Sequence, residues 1–162
     1  TVTLRDLNGN PIVSGRRYLI ESFAFPTQFI GSQIWSGGSS VLRRWAILQF
    51  DSGEPIRFEQ SGDHVRLLTN RVYVDVPDLG IEFPLYLSED GTYPGVQLDT
   101  DEGAFSRWLV TQPSDPDLVA GNYYAFKNDH SGKFMSARDS LGWLYVEKSS
   151  IEPRTLWRFR PL

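Results

Sequence analysis

The side chains of this chain that could carry out catalysis are two histidines and two groups of carboxylates. His64 and His130 are far apart in sequence, and neither belongs to a His-x-x-x-His spacing that binds a metal ion. The carboxylates lie in segments 99–102 and 115–117, and glycine or proline flanks both, so we interpret them as solvated turns and not as a glycosidase pair. The chain has neither a Gly-x-Ser-x-Gly elbow nor a cysteine. We therefore expect a protein that is not an enzyme.

The length, charge and composition of the chain indicate which classes of binding partner to exclude. A chain of 162 residues fits one domain, 1–162, which can bury a core without disulfides or a metal ion. The formal net charge is −4 and no basic run is present, which argues against nucleic-acid binding. No apolar run approaches about 18 residues, which argues against a membrane helix. We expect a monomer without cofactor or metal.

Short strands separated by turns dominate the pattern. The valines at 72, 74 and 76 alternate with Tyr73 and Asp75, which is the period of a half-buried strand. Together with an apolar strand at 65–68, this predicts two strands on either side of a turn at Asn70. Comparable patterns predict strands at 17–21, 32–36, 44–50, 55–59, 84–88, 96–99, 107–111, 123–128, 133–137, 143–148 and 156–161. About a dozen short strands indicate a sandwich or a barrel.

An internal repeat decides between these two architectures. Trp45, Trp108 and Trp157 each open a similar short segment, and an aromatic or aliphatic strand precedes each one. The segment 121–157 resembles a β-trefoil unit, with a strand, a Ser-Gly turn, two further strands and a closing tryptophan. The prediction is an all-β, β-trefoil fold of about twelve strands, a pseudo-threefold barrel with a hairpin cap. The tryptophans and phenylalanines are expected to fill the barrel core and its cap rather than to stack on a ligand.

The opening stretch carries a family resemblance. Leu4, Asp6, Asn8-Gly9-Asn10, Ile12, Tyr18 and Ile20 have the spacing of the amino-terminal signature of the soybean-type Kunitz protease inhibitors. Asn8-Gly9 is a turn dipeptide, and Pro11 favours extended chain after it. Segments 49–58 and 65–67 also resemble that family, and the likeness covers roughly the first half of the chain. The absence of cysteine departs from most members of the family.

The resemblance implies a protease-binding loop between the fourth and fifth strands. That loop is 60–65, with Ser61, Gly62, Asp63, His64 and Val65 as contact residues and His64, or less favourably Asp63, at the specificity position. A trypsin inhibitor needs Arg or Lys there, and Gly62 replaces a stiffening proline, so trypsin inhibition through this loop is doubtful. A plain polar connection remains the alternative.

Three further loops are candidate protease contacts, and two of them resemble loops of other trefoil inhibitors. The segment 23–31 carries three phenylalanines, and trefoil inhibitors of papain-like proteases, such as the mushroom mycocypins, insert such loops into the cleft. The glycine-serine segment 36–40 precedes a pair of arginines that could meet a trypsin-like enzyme. The Asn70 turn resembles the legumain-binding loop of mycocypins, although asparagine also suits a plain turn. The secondary contact residues predicted here are Phe25, Pro26, Phe29, Arg43, Arg44 and Asn70.

A lectin is the main alternative to an inhibitor. Ricin-type trefoils carry Gln-x-Trp near the end of each repeat, whereas the motif occurs here once, at Gln33-Ile34-Trp35, beside a predicted second strand. We therefore expect a protease inhibitor, with serine proteases favoured over cysteine proteases and a carbohydrate-binding trefoil as the remaining class. A secreted or vacuolar location is expected for such an inhibitor, with a cytoplasmic one left open.

Overall fold

The computed structural model describes residues 2–35 and 43–162. Their strands join one twelve-stranded antiparallel sheet. The strands are β1 (Tyr18–Ser22), β2 (Gln28–Trp35), β3 (Arg43–Phe50), β4 (Arg57–Ser61), β5 (His64–Val76), β6 (Ile81–Glu89), β7 (Val96–Asp99), β8 (Trp108–Thr111), β9 (Ala125–Asn128), β10 (Phe134–Ala137), β11 (Leu144–Lys148) and β12 (Trp157–Pro161). The helix α1 (Pro116–Ala120) and 3-10 turns at Pro77–Leu79, Ala104–Ser106 and Pro153–Thr155 complete them. No helix in the described ranges is long and apolar enough to cross a membrane.

The all-β prediction is confirmed, and two segments differ from it in detail. The two strands predicted around Asn70 are one strand, β5, because the chain continues through a bulge there and does not turn. The acidic segment 115–117 begins α1, where the Asp115 side chain accepts a hydrogen bond from the backbone N–H of Asp117 and Pro116 fits the first helical turn.

The same succession of four strands recurs three times. The second and third strands of each succession form a hairpin (β2–β3, β6–β7 and β10–β11). The other six strands meet through the pairs β1–β12, β4–β5, β5–β8 and β8–β9, and single bridges connect Tyr18 with Ile56 and Tyr124 with Trp157. The hairpins also touch each other at one end, where β3, β7 and β11 converge.

The core is formed by these six strands together with the inner residues of the three hairpins, and it is rich in aromatic rings. Trp108 and Trp157 are fully buried, and their indole N–H groups donate to the carbonyls of Leu87 and Met135 at 3.0 and 3.2 Å. The predicted core role of these two tryptophans is therefore confirmed. Trp45 differs, because it lies on β3 and is only half-buried. Phe58 on β4 takes the corresponding core position, so Phe58, Trp108 and Trp157 recur at intervals of about 50 residues.

The opening stretch folds as a compact turn against this core. Asp6 is buried, and its Oδ1 accepts hydrogen bonds from the backbone N–H groups of Asn8 and Asn10 at 2.8 and 3.1 Å. Gly9 has a φ of 84°, a conformation that favours glycine. The backbone N–H of Leu7 donates to Phe159 O, which ties the turn to β12. The spacing of Asp6, Asn8, Gly9 and Asn10 in the signature is thus explained by an Asx-type turn.

Candidate functional site

The predicted protease-binding loop is a tight hairpin turn. Strand β4 extends to Ser61 and β5 begins at His64, and these two residues pair across a turn that contains only Gly62 and Asp63. Gly62 has a φ of 62°, and a positive φ at the first central residue is the requirement of a type II′ turn. The six-residue loop expected at 60–65 is therefore wrong in length, because both strands are longer than their apolar patterns indicate.

Neighbouring segments hold this turn in place. The Nε2 atom of His64 lies 3.2 Å from Oδ1 of Asp129, whose other oxygen meets Arg107 Nε at 3.3 Å. Asp63 Oδ1 accepts a hydrogen bond from the backbone N–H of Val2 at 2.7 Å.

Only part of the turn is open to a partner. Val65 is buried in the core, so its side chain offers no surface to a partner in this structure. Ser61 and Gly62 are exposed, and Asp63 and His64 are half-buried. A protease contact at these four residues stays a prediction.

The phenylalanine-rich connection between β1 and β2 is shorter than predicted. Strand β2 starts at Gln28, so Phe29 is a strand residue with no exposed surface, and its side chain is not open to a partner in this structure. Phe25 is half-buried, packs against the core and has the Arg154 guanidinium 5.8 Å from its ring centre. Pro26 is exposed at the tip of the connection. Of the three predicted residues, Pro26 is thus the most accessible.

Asn70 lies in the bulge of β5. The pairing register with β6 shifts between Leu68 and Val72, and Thr69 stabilises the bulge because its hydroxyl donates to Leu85 O at 2.7 Å and accepts from Arg71 N at 3.2 Å. The Asn70 side chain is exposed at this point. The turn predicted at Asn70 is wrong. The Asn70 side chain is nevertheless accessible, and its contact with a protease stays a prediction.

Beyond the bulge, β5 and β6 project as a hairpin that we call the hairpin tip, residues 72–83. Tyr73 pairs with Phe83, and these rings are 53% and 42% exposed. Leu79 at the turn is 72% exposed. Apolar surface that remains in water on a projecting element is typical of a protein-binding surface. The large exposed apolar residues of the hairpin tip are Val72, Tyr73, Val74, Leu79, Ile81 and Phe83.

A groove of about 400 Å³, the arginine groove, separates the hairpin tip from the end of the β2–β3 hairpin. Its walls include Tyr73, Ile34 and the predicted contact residues Arg43 and Arg44. Arg43 is half-exposed and reaches Gln97 Oε1 at 3.2 Å and Asp90 Oδ1 at 3.7 Å. The predicted glycine-serine loop at 36–40 and residues 41–42 lie outside the described residues.

Near this groove, a buried carboxylate links β2 with the bulge of β5. Glu54 Oε1 accepts hydrogen bonds from Ser32 Oγ at 2.5 Å and from Arg71 Nε at 2.6 Å. Arg44 donates to the same Ser32 hydroxyl at 3.0 Å. The hydrogen bond to Ser32 therefore holds the Arg44 side chain in place. Arg44 is half-buried and Arg43 is exposed, so Arg43 is the more accessible of the two arginines.

The sequence did not predict a second cavity, the aromatic pocket, of about 220 Å³. It opens where the three hairpins meet, and its residues come from β2, β3, the β6–β7 loop and β11 with the residue before it. The available signal was that Trp35 and Trp143 stand outside the three repeated tryptophan segments, whereas Trp45 resembles the core tryptophans. The pocket is lined by Trp35, Trp45, Ala46, Tyr93, Gly95, Trp143, Leu144 and Tyr145.

Comparisons with known proteins relate the fold to β-trefoil proteins. No protein-family model matches the sequence, and a comparison with curated proteins finds no match either. Among solved structures, alocasin, a protease inhibitor from giant taro (Arum macrorrhizon), matches with 16% identity and a TM-score of 0.68 over 100% of both chains.

Two further structures match at similar levels. The Polyporus squamosus lectin has 14% identity and a TM-score of 0.65 over 93% of this chain and 50% of the lectin. ThreeFoil, a designed 3-fold symmetric protein, has 15% identity and a TM-score of 0.62 over 90% of this chain and 99% of its own. At such identities the likeness concerns the fold, and it supports a β-trefoil relationship.

Proposed function

We propose that this chain is a single-domain β-trefoil protein that inhibits a protease and is not itself an enzyme. The threefold recurrence of four strands and the bridges Tyr18–Ile56 and Tyr124–Trp157 support a six-stranded barrel with a cap of three hairpins. Alocasin, a protease inhibitor, covers this chain from end to end, which supports the same class of function. The target would be a secreted or vacuolar protease.

The observation that carries the proposal is the hairpin tip. Its exposed aromatic residues, Tyr73 and Phe83, are cross-strand neighbours, so β-sheet pairing orders the backbone that carries them. An ordered backbone reduces the entropy cost that a flexible loop would incur on binding. Aromatic residues of this kind often dominate the energy of protein interfaces.

The arginine groove and the bulge supply polar contacts beside the hairpin tip. Arg43 offers an accessible positive charge, which suits the acidic specificity pocket of a trypsin-like serine protease. Asn70 is the corresponding exposed residue for an asparagine-specific cysteine protease. We favour a serine protease because the Kunitz-type resemblance and Arg43 point to the same class, with cysteine proteases as the second choice.

An inhibition panel tests this function. The pure protein is titrated against trypsin, chymotrypsin, subtilisin, papain, a cathepsin L-type enzyme and legumain. The double variant Tyr73→Ser/Phe83→Ser is expected to weaken the inhibition constant at least about tenfold, because it removes both aromatic contacts. Phe50→Ser is the matched control, since Phe50 is 62% exposed on β3 outside the hairpin tip.

Each result of this panel has a definite meaning. Inhibition that depends on the hairpin tip but not on Phe50 supports the proposal. Inhibition that survives the double variant and disappears in His64→Ala would move the contact to the β4–β5 turn. If none of the six enzymes is inhibited, the proposed function is rejected, and carbohydrate binding, the activity in the name of the Polyporus lectin, becomes the leading function.

A further inference from the structure

The aromatic pocket has rigid walls because three hairpins build it together. Trp45 on β3 pairs with Gln97 on β7, and single bridges connect Ile47 with Trp143 and Gly95 with Tyr145. A β-carbon placed on Gly95 would come within 2.9 Å of Trp45 Cζ3, so only glycine leaves room for the indole there. The walls are thus fixed by backbone pairing before any ligand arrives.

The rings meet at steep angles and leave a concave apolar surface between them. Trp35 lies 6.4 Å from Trp45 and 6.3 Å from Trp143, at interplanar angles of 77° and 49°. Tyr93 lies 6.0 Å from Trp45 and 6.4 Å from Tyr145. Edge-to-face contacts of this kind stabilise the cluster itself, and they still leave ring surface open to a ligand.

The polar groups of the pocket are neutral. Burial, together with a hydrogen bond to Tyr93, raises the pKa of the Tyr145 hydroxyl, so this phenol keeps its proton at physiological pH. The indole N–H groups of the three tryptophans are donors that cannot ionise. The residues that line the pocket carry no charge, so a ligand would meet hydroxyl and N–H groups on an apolar surface.

The cation that contacts Tyr145 is already paired. The Arg138 guanidinium stacks 3.8 Å from the centre of the Tyr145 ring and makes two hydrogen bonds to the Glu147 carboxylate, at 2.6 and 3.2 Å. It therefore covers one face of this ring, and the Glu147 carboxylate balances its charge.

We propose that the aromatic pocket binds one neutral saccharide ring. The C–H bonds on one side of a pyranose carry partial positive charge and stack on the negative face of an aromatic ring, while its hydroxyls need donors and acceptors at the edges. The cavity of about 220 Å³ is smaller than the roughly 300–1,000 Å³ of pockets for drug-sized ligands, which suits a single ring. This activity is independent of the hairpin tip and of protease inhibition.

Tryptophan fluorescence tests this site directly, because three of the five tryptophans line the pocket and the other two are buried in the core. The protein is titrated with glucose, galactose, mannose, N-acetylglucosamine and the β-1,4-linked dimer of N-acetylglucosamine, and separately with tetramethylammonium chloride. At least one sugar is expected to change the emission in a saturable manner, whereas tetramethylammonium is expected to have no effect. Calorimetry with the responding sugar gives its dissociation constant.

Variants then locate the binding. Tyr93→Ala removes a ring that is 47% exposed, so folding should be retained, and it is expected to weaken sugar binding at least about tenfold. Tyr73→Ala, which removes an exposed ring of the hairpin tip, is the matched control and should leave the affinity unchanged. Absence of a response to every sugar, a response to tetramethylammonium alone, or sugar binding unaffected by Tyr93→Ala would each overturn the proposal.

Discussion

The hairpin tip and the aromatic pocket both expose aromatic side chains, but they do so on surfaces of opposite shape. The hairpin tip is supported by one strand pair, and Tyr73 and Phe83 stand on a projecting element. The pocket is enclosed by three hairpins, and its rings support one another. A projecting apolar surface suits a protein partner, whereas an enclosed one suits a small ligand. An aromatic surface built by one projecting hairpin and one built by three converging hairpins are therefore expected to bind different kinds of partner.

The largest effect is expected where the pocket is most crowded. Gly95→Val should lower the free energy of unfolding by about 2–3 kcal/mol. The valine side chain would overlap Trp45 and push apart β3, β7 and β11, which converge at this point. Urea unfolding monitored by fluorescence measures this change. An unchanged urea midpoint in this variant would show that the three hairpins around the pocket can move apart at no cost. The pocket would then not be more rigid than the hairpin tip.

The buried carboxylate of Glu54, which anchors β5 next to the hairpin tip, gives the next largest effect. Glu54→Ala should cost about 2 kcal/mol of unfolding free energy, since Ser32 and Arg71 both lose their acceptor. Glu82→Ala is the matched control, because Glu82 is exposed on the hairpin tip. Equal stabilities of the two variants in urea unfolding would contradict the role of Glu54 in anchoring β5.

Alkaline pH should act on the pocket through Tyr145. Because burial and the bond to Tyr93 raise its pKa in the folded protein above the ordinary value of 10.0, the neutral phenol favours the folded state. This contribution is fully present below pH 10 and is lost as the pH rises through the folded-state pKa. Tyr145→Phe should therefore lose less stability than the wild type between about pH 8 and about pH 11.

Unfolding curves at these pH values measure the difference. Burial also raises the pKa values of Tyr86 and Tyr124, so part of the alkaline loss should remain in the variant. A variant curve that parallels the wild type would show that the Tyr145 hydroxyl is not protected by the pocket.

The smallest effect is expected at the hairpin tip. Gly80 has a φ of 65° and open space around it, so Gly80→Ala introduces backbone strain without a clash. The global free energy of unfolding should fall by less than about 1 kcal/mol, because a projecting hairpin can open locally. Amide hydrogen exchange should instead become faster at 72–83 alone. A large global loss would mean that the hairpin tip is part of the cooperative core.

The strand pattern could be predicted in part because some strands, such as β8 and β12, alternate more buried with less buried residues, whereas β1 and β10 are buried throughout and were recognised by their apolar residues and flanking turns. In β12, for example, Trp157 and Phe159 are buried whereas Arg158 and Arg160 face outward. The ends of the strands were harder to predict, because exposed polar residues such as Ser61 pair through their backbones and leave no apolar signal. For this reason the predicted β4–β5 connection was longer than the two-residue turn in the structure.

The aromatic pocket could not be predicted from sequence because its residues meet only in three dimensions. Trp35, Tyr93 and Trp143 belong to three different hairpins. Trp45 was misleading, because Arg44-Trp45-Ala46-Ile47 resembles the core segment that begins Arg107-Trp108. The residues around Asn70 suit a turn as well as a bulge. The hydrogen bonds of the Thr69 hydroxyl to Leu85 O and from Arg71 N stabilise the bulge.

The pairing of β1 with β12 has a consequence for how the molecule is made. Five residue pairs, from Tyr18–Pro161 to Ser22–Trp157, join segments that are separated by most of the chain, and Leu7 also donates to Phe159 O. On a ribosome, β1 would therefore wait without its partner until nearly all of the described residues had been synthesised. Such distant contacts slow folding and leave early strands exposed to aggregation. Yield during synthesis should thus depend on the arrival of β12 more than on any residue of the binding surfaces.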